Sequence, residues 1–245
     1  MAVAVAYKNG YAADMRRRAL PSIVLLLIPA LSLYAASKQH TVTLGKPNVV
    51  KLFVGPNEDK PLDLKVRPLY VDGKLKEFTT GEPHAITENT FVIQRAFRVN
   101  DSLPEDPRTL PKWRWQRGGW LLVEKQSGRI SKINLPDFDP YYSAAAWYRD
   151  YAAYCGTSVD GEKLFAVVAQ IGVKKPVARQ PLGAASVGEM PDSECDVPVW
   201  QKQPMRVTFF PKRANKLTFE IHGRAVDLLP IESGGSELSE EGQQQ

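Results

Sequence analysis

The segment Lys112-Trp113-Arg114-Trp115-Gln116-Arg117-Gly118-Gly119-Trp120 gathers more binding chemistry than any other stretch of the chain. In an extended backbone successive side chains alternate, so Trp113 and Trp115 share one face and Arg114 takes the other. Exposed, the two indoles form a flat platform for sugar rings, with Lys112 and Arg117 placed to meet an anionic group. Buried, the same rings are large core side chains with arginine stacked on them. Trp113, Trp115, Arg117 and Trp120 are therefore the candidate binding residues, and their exposure separates the two outcomes.

Acid–base and metal chemistry find less support. Glycoside hydrolysis needs two facing carboxyls at a defined separation. Among Glu124, Asp137, Asp139 and Asp150, the run Asp137-Phe138-Asp139 reads instead as a turn and a cap. No Gly-x-Ser-x-Gly elbow occurs for a serine nucleophile. Asn57-Glu58-Asp59 lacks the ligand alternation of a calcium loop. His40, His84 and His222 have no ligand spacing with a cysteine. The sequence thus names no catalytic residue, no metal ligand and no cofactor.

The cysteines are Cys155 and Cys195. In an oxidising compartment a single pair reads first as one disulfide, worth roughly 3–4 kcal/mol for a loop of about 40 residues in the chain-entropy model. That compartment is what the start of the chain predicts. Arg16-Arg17-Arg18 precede an apolar run from Ala19 to Ala36, and Ala35 and Ser37 supply small residues ahead of Lys38. This is the layout of an export signal over residues 1–37. Pro29 favours removal, whereas Tyr34 suits an uncleaved membrane anchor, so the protein is expected to be periplasmic or secreted, or held by one N-terminal span. Met15, directly before the arginines, is an alternative start.

The leader also distorts the charge. The whole chain carries +5, but residues 1–37 hold Lys8, Arg16, Arg17 and Arg18 against Asp14 alone, which leaves 28 basic and 26 acidic residues, or +2, in the remainder. A domain so near neutrality gives no case for nucleic-acid binding by bulk charge. Membrane contact is expected only through the N-terminal segment. Residues 231–245 are polar and acidic, and their composition predicts a disordered tail.

Between these ends, residues 38–230 read as one mainly β domain. Thr41–Leu44, Val49–Val54, Leu62–Val66, Leu69–Val71, Lys74–Phe78 and Phe91–Val99 are strand-like runs set off by turn residues. Asp72-Gly73 signals a type I′ hairpin. Two further hairpins are expected through Ser127-Gly128 and Asp160-Gly161, and strands over Met205–Phe210 and Lys216–Ile221. Many short strands with Gly/Pro turns predict a single β-sandwich or a partly open barrel. One short helix is expected, with Asp139 as cap, Pro140 at its first position and Trp147 and Tyr151 on one face. The alternative is that these residues extend the strand entering Cys155.

Trp120–Leu135 and Tyr151–Gln170 resemble single β-propeller hairpins. With Val54–Leu62, Trp113–Val123 and Phe138–Gly156, the chain as a whole is similar to an uncharacterised family of bacterial exported β-rich proteins. The resemblance implies an address and no activity. Two function classes stay open: a non-enzymatic exported domain binding a partner protein or envelope glycan, and an envelope hydrolase with catalytic residues gathered from separate loops. A deep pocket with convergent titratable groups would mark the second.

Overall fold

The computed structural model describes residues 39–53, 61–102, 110–185 and 195–229. The leader over 1–37 and the tail over 231–245 lie outside the described residues. Every described strand belongs to the unit Lys38–Gln245, and this domain is mainly β. Its strands are β1 (Val42–Leu44), β2 (Asn48–Leu52), β3 (Leu62–Val71), β4 (Lys74–Ala85), β5 (Thr90–Asn100), β6 (Trp113–Glu124), β7 (Ile130–Ile133), β8 (Ala146–Tyr148), β9 (Tyr151–Thr157), β10 (Lys163–Gln170), β11 (Ala178–Ala184), β12 (Cys195–Gln201), β13 (Arg206–Pro211), β14 (Leu217–His222) and β15 (Ala225–Leu229).

The first sheet contains β1 to β7. Asp72 and Gly73, at φ 52° and 72°, turn β3 into β4, as a type I′ hairpin requires. Pairing runs in a ring β2–β3–β4–β5–β6 that closes through a parallel bridge between Leu52 and Trp115. Two apolar clusters hold this sheet. Leu52, Leu64, Val66 and Ala96 form one, with Phe78 and Trp115 against it. Leu69, Phe91, Ile93, Leu121 and Val123 form the other.

The second sheet, β11–β10–β9–β8, is buried on both faces at its centre, which explains the continuous apolar runs of β9 and β10. Alternation sends Tyr151, Ala153, Cys155, Ala166 and Val168 towards Val207, Phe209, Phe219 and Ile221 of the third sheet, β12–β13–β14–β15. Ala152, Tyr154, Phe165 and Val167 face the other way, onto Leu135, Trp120, Ile133 and Trp147. The Cys155–Cys195 disulfide is present, its Cα atoms 6.2 Å apart, and it joins β9 to the first residue of β12.

The expected helix after Asp139-Pro140 is not formed; the described residues contain no helix there. The cap signal yields one turn: the Tyr141 amide donates to Asp139 Oδ1 at 2.8 Å, and the Ser143 amide donates to the Asp139 carbonyl at 2.7 Å. Ser143 then leaves the helical path, because its hydroxyl donates to the Cys155 carbonyl at 2.7 Å and accepts from the Asp139 amide at 3.1 Å. Ala146–Tyr148 become β8, paired with β9 through Trp147↔Ala152 and Tyr148↔Tyr151. Half-burying Trp147 and Tyr148 on opposite faces of a strand outweighs alanine's helix preference. Ser143 is 4 % exposed, so Ser143→Ala strands the buried Cys155 carbonyl and the part-buried Asp139 amide and is expected to cost about 1–3 kcal/mol in urea unfolding.

Candidate functional site

The tryptophan-rich segment forms the first half of β6, paired with β5 through Asn100↔Trp113, Val99↔Arg114, Arg98↔Trp115 and Ala96↔Arg117. Cross-strand partners share a face. Trp113, Arg98, Trp115 and Arg117 therefore lie on one face of the ladder, and Arg114 on the other. Beyond Arg117 the pairing resumes at Gln94↔Trp120. Gly118 and Gly119 thus oppose the single residue Arg95, a bulge that keeps Trp120 on the face of Trp115. All four residues singled out in the sequence share that face.

Their environments differ. Trp113 is 59 % exposed. Trp115 is half-buried, edge-on to Phe78 with ring centroids 5.1 Å apart. The Arg98 guanidinium carbon lies 5.8 Å from the Trp113 centroid and 5.4 Å from that of Trp115. This exposed arginine is the residue that sequence reasoning missed. Its signal was period-two alternation in Phe91–Val99, but its position opposite Trp115 depends on register, which one strand does not reveal.

Towards the interior the character changes. Arg117 is half-buried, and burial lowers its guanidinium pKa. Its Nε is enclosed without a hydrogen-bond acceptor among the described residues. Trp120 packs edge-on to Trp147 at 5.1 Å, with His84 stacked on Trp147 at 6.2 Å. The His84 ring Nε2 lies 3.0 Å from the Arg149 carbonyl oxygen. Trp120 thus packs against the second sheet's apolar cluster, while Trp113 stands exposed at the first position of β6.

The start of β6 is fixed to the end of β5. The Lys112 amide donates to Asn100 Oδ1 at 3.0 Å and to Ser102 Oγ at 2.9 Å, and the Asp101 amide donates to the Lys112 carbonyl at 2.8 Å. On the opposite face charge is neutralised: Arg114 pairs with Asp101 at 2.8 Å and Arg95 with Glu77 at 2.8 Å.

The acids considered from sequence serve separate local contacts. Glu124 accepts from Ser127, Asp139 caps its turn, and Asp150 accepts from Gln170. Asp137 pairs with Arg179 at 2.7 Å. Among the described residues no group of three His, Cys, Asp or Glu side chains gathers to hold a metal ion.

A broad open groove of about 830 Å³ lies along β10 and β11, bordered by Ser158, Asp160, Glu162, Lys163, Phe165 and Arg179. The Arg179 guanidinium covers the Phe165 ring at 3.5 Å. The hydrogen bond from the Ser158 hydroxyl, then the Glu162 amide, holds the exposed Asp160 carboxyl below its ordinary pKa. A smaller cavity of about 340 Å³ lies between β7 and the turn after β10, with Lys132 and Lys174 among its lining residues. The chain matches no known family model, and no curated protein aligns with it significantly.

Proposed function

We propose that the chain is an exported, non-enzymatic β-domain that holds a cell-envelope partner against the Asn100–Trp113 end of the β5–β6 ladder. The observation that carries this reading is Trp113, 59 % exposed with the Arg98 guanidinium beside its ring and that of Trp115. A large indole left in solvent on a rigid, paired strand is a preorganised contact surface rather than a packing element. The Cys155–Cys195 disulfide supports the address, since such bonds persist in oxidising compartments. We read the scaffold as a partly open barrel formed by the first sheet, beside a sandwich formed by the second and third.

Trp113→Ala is the direct test. Incubated with isolated envelope material and sedimented, the native protein is expected to co-sediment, and the variant to bind at least tenfold more weakly. The variant's stability should stay within about 0.5 kcal/mol of the parent's, as for an exposed side chain. Equal co-sedimentation of both proteins would remove the reading.

The groove along β10 and β11 favours one alternative, an envelope hydrolase using Asp160 and Glu162. The held-down pKa of Asp160 argues against it as a proton donor, because a general acid needs a raised one. Release of new reducing ends or peptide termini from envelope polymers, lost in Glu162→Gln, would establish the hydrolase.

A further inference from the structure

Whatever partner the ladder holds, its chemistry is written in the unequal treatment of the arginines. Arg67, Arg95, Arg114, Arg179 and Arg206 each pair with a carboxylate, at 2.6 to 2.8 Å. Arg98 pairs with none among the described residues, as is also true of Arg117, Arg129, Arg149 and Arg224, but it is the one of these that is exposed and lies beside two indoles. Stacking engages the flat face of a guanidinium and leaves its N–H edge available, in the planar fork that matches a carboxylate. The two ring contacts restrict the Arg98 side chain, so less rotamer freedom remains to be lost on binding. Lys112, exposed, is the residue directly before β6.

We infer that the ligand is an acidic polysaccharide, with a sugar ring packed on Trp113 and that sugar's carboxylate held by Arg98. The inference rests on the binding reading above and adds the ligand's class to it. An exposed indole beside a fixed guanidinium offers adjoining places for the C–H face of a sugar and for its acid group. Nucleic acid fits less well. Its affinity grows with the number of phosphates neutralised, and residues 38–245 carry only +2, with one guanidinium beside the Trp113 and Trp115 rings.

The test uses three probes on the full chain by titration calorimetry at low salt: polygalacturonate, the same polymer with its carboxyls methyl-esterified, and single-stranded oligothymidylate. The native protein is expected to bind the free acid at least tenfold more tightly than the ester. Arg98→Gln should remove that preference, and Arg98→Lys should restore only part of it, since lysine keeps charge but not the planar fork. Trp113→Ala should weaken both polymers alike. Arg129→Gln, an exposed cation in the turn before β7, should change nothing.

Equal affinity for acid and ester would overturn the acidic class while leaving a glycan-binding surface standing. Oligothymidylate bound more tightly than both polymers would overturn the glycan class itself. No binding of any probe, in a protein whose Trp113-dependent envelope sedimentation persists, would overturn the sugar inference and leave the binding reading. Unchanged binding by a folded Arg98→Gln, judged by the parent's thermal midpoint, would overturn the role of Arg98.

Discussion

Replacing both cysteines, Cys155→Ala with Cys195→Ala, is expected to destabilise the domain by roughly 4 kcal/mol in the chain-entropy account of a disulfide. The loop between them spans 40 positions, and both residues are buried, at 6 % and 5 % exposure. The bond has a particular place in the fold. Cys155 belongs to β9 at the centre of the second sheet, and Cys195 opens β12 at an edge of the third. Their side chains sit in the cluster that includes Phe209, Phe219 and Ile221. Cutting the bond both frees a long loop in the unfolded chain and removes the covalent tie between two sheets. For a domain of this size a loss of about 4 kcal/mol lowers the thermal midpoint by about 8–15 °C. Calorimetry of the native protein with and without strong reductant, beside the double alanine variant, checks this. Reduced native protein and variant should melt together, well below the oxidised form. A variant within about 1 kcal/mol of the parent would show that the apolar cluster alone holds the sheets.

The same bond shows what one sequence carries and where it stops. Two cysteines in a chain with an export-like leader have one internal pairing, so the disulfide was legible. The strands with β-branched periodicity were legible too, and so was the Asp72-Gly73 turn, because positive φ at both central positions leaves few residue choices. Three strands were not anticipated, and a fourth, β8, only as the alternative to a helix. β11 and β12 each carry a proline, which speaks against a central strand: Pro181 lies in an edge strand beside the irregularity at Leu182, and Pro198 lies within a bulge of edge strand β12. Those are the places in a sheet where a missing amide is tolerated. The short β15 offers only Ala225–Leu229 after a tight turn, and β8 hides inside an alanine-rich run whose helix preference was overridden by tertiary packing.

The candidate surface was half legible for a related reason. Residue type and period two placed Trp113 and Trp115 together. Neither could show that Trp113 remains in solvent while Trp120 meets Trp147, because that difference arises from which sheet covers which stretch of β6. Arg98 became visible only when pairing register put it opposite Trp115. Non-local pairing is thus the missing information in each case, and it also decides where the backbone tolerates no added atom.

Gly156 is that position. A Cβ built there would lie 2.5 Å from the Asp137 carbonyl oxygen, 3.0 Å from its Cβ and 3.1 Å from its carbonyl carbon. The opposing group is backbone, held from several directions. The Thr157 amide donates to the same Asp137 carbonyl at 2.8 Å, and the Tyr154 hydroxyl donates to the Pro136 carbonyl at 2.5 Å. Burial raises the Tyr154 pKa far above the ordinary phenol value, so that hydroxyl stays a donor at every pH where the fold is of interest. Phe138 packs edge-on to the Tyr154 ring at 5.2 Å. Asp137 itself has φ 56°, an uncommon conformation for a side-chain-bearing residue.

Gly156→Ala must therefore displace residues 136–138 as a piece, straining the Thr157 and Tyr154 hydrogen bonds and the Asp137–Arg179 ion pair together. Overpacking against fixed backbone with loss of a buried hydrogen bond is expected to cost about 3 kcal/mol. Gly119→Ala is the matched control, since its added Cβ has no heavy atom within 4 Å, and its effect should stay within about 0.5 kcal/mol. Urea midpoints at unchanged m-value measure both, and a Gly156→Ala variant as stable as Gly119→Ala would show that residues 136–138 yield freely. Because Arg179 covers Phe165 at 3.5 Å while holding Asp137, the same substitution should also loosen one wall of the groove along β10 and β11. A protein held only by pairing between neighbouring strands would register neither effect, since Gly156 meets residue 137 where the segment before β8 crosses the end of β9.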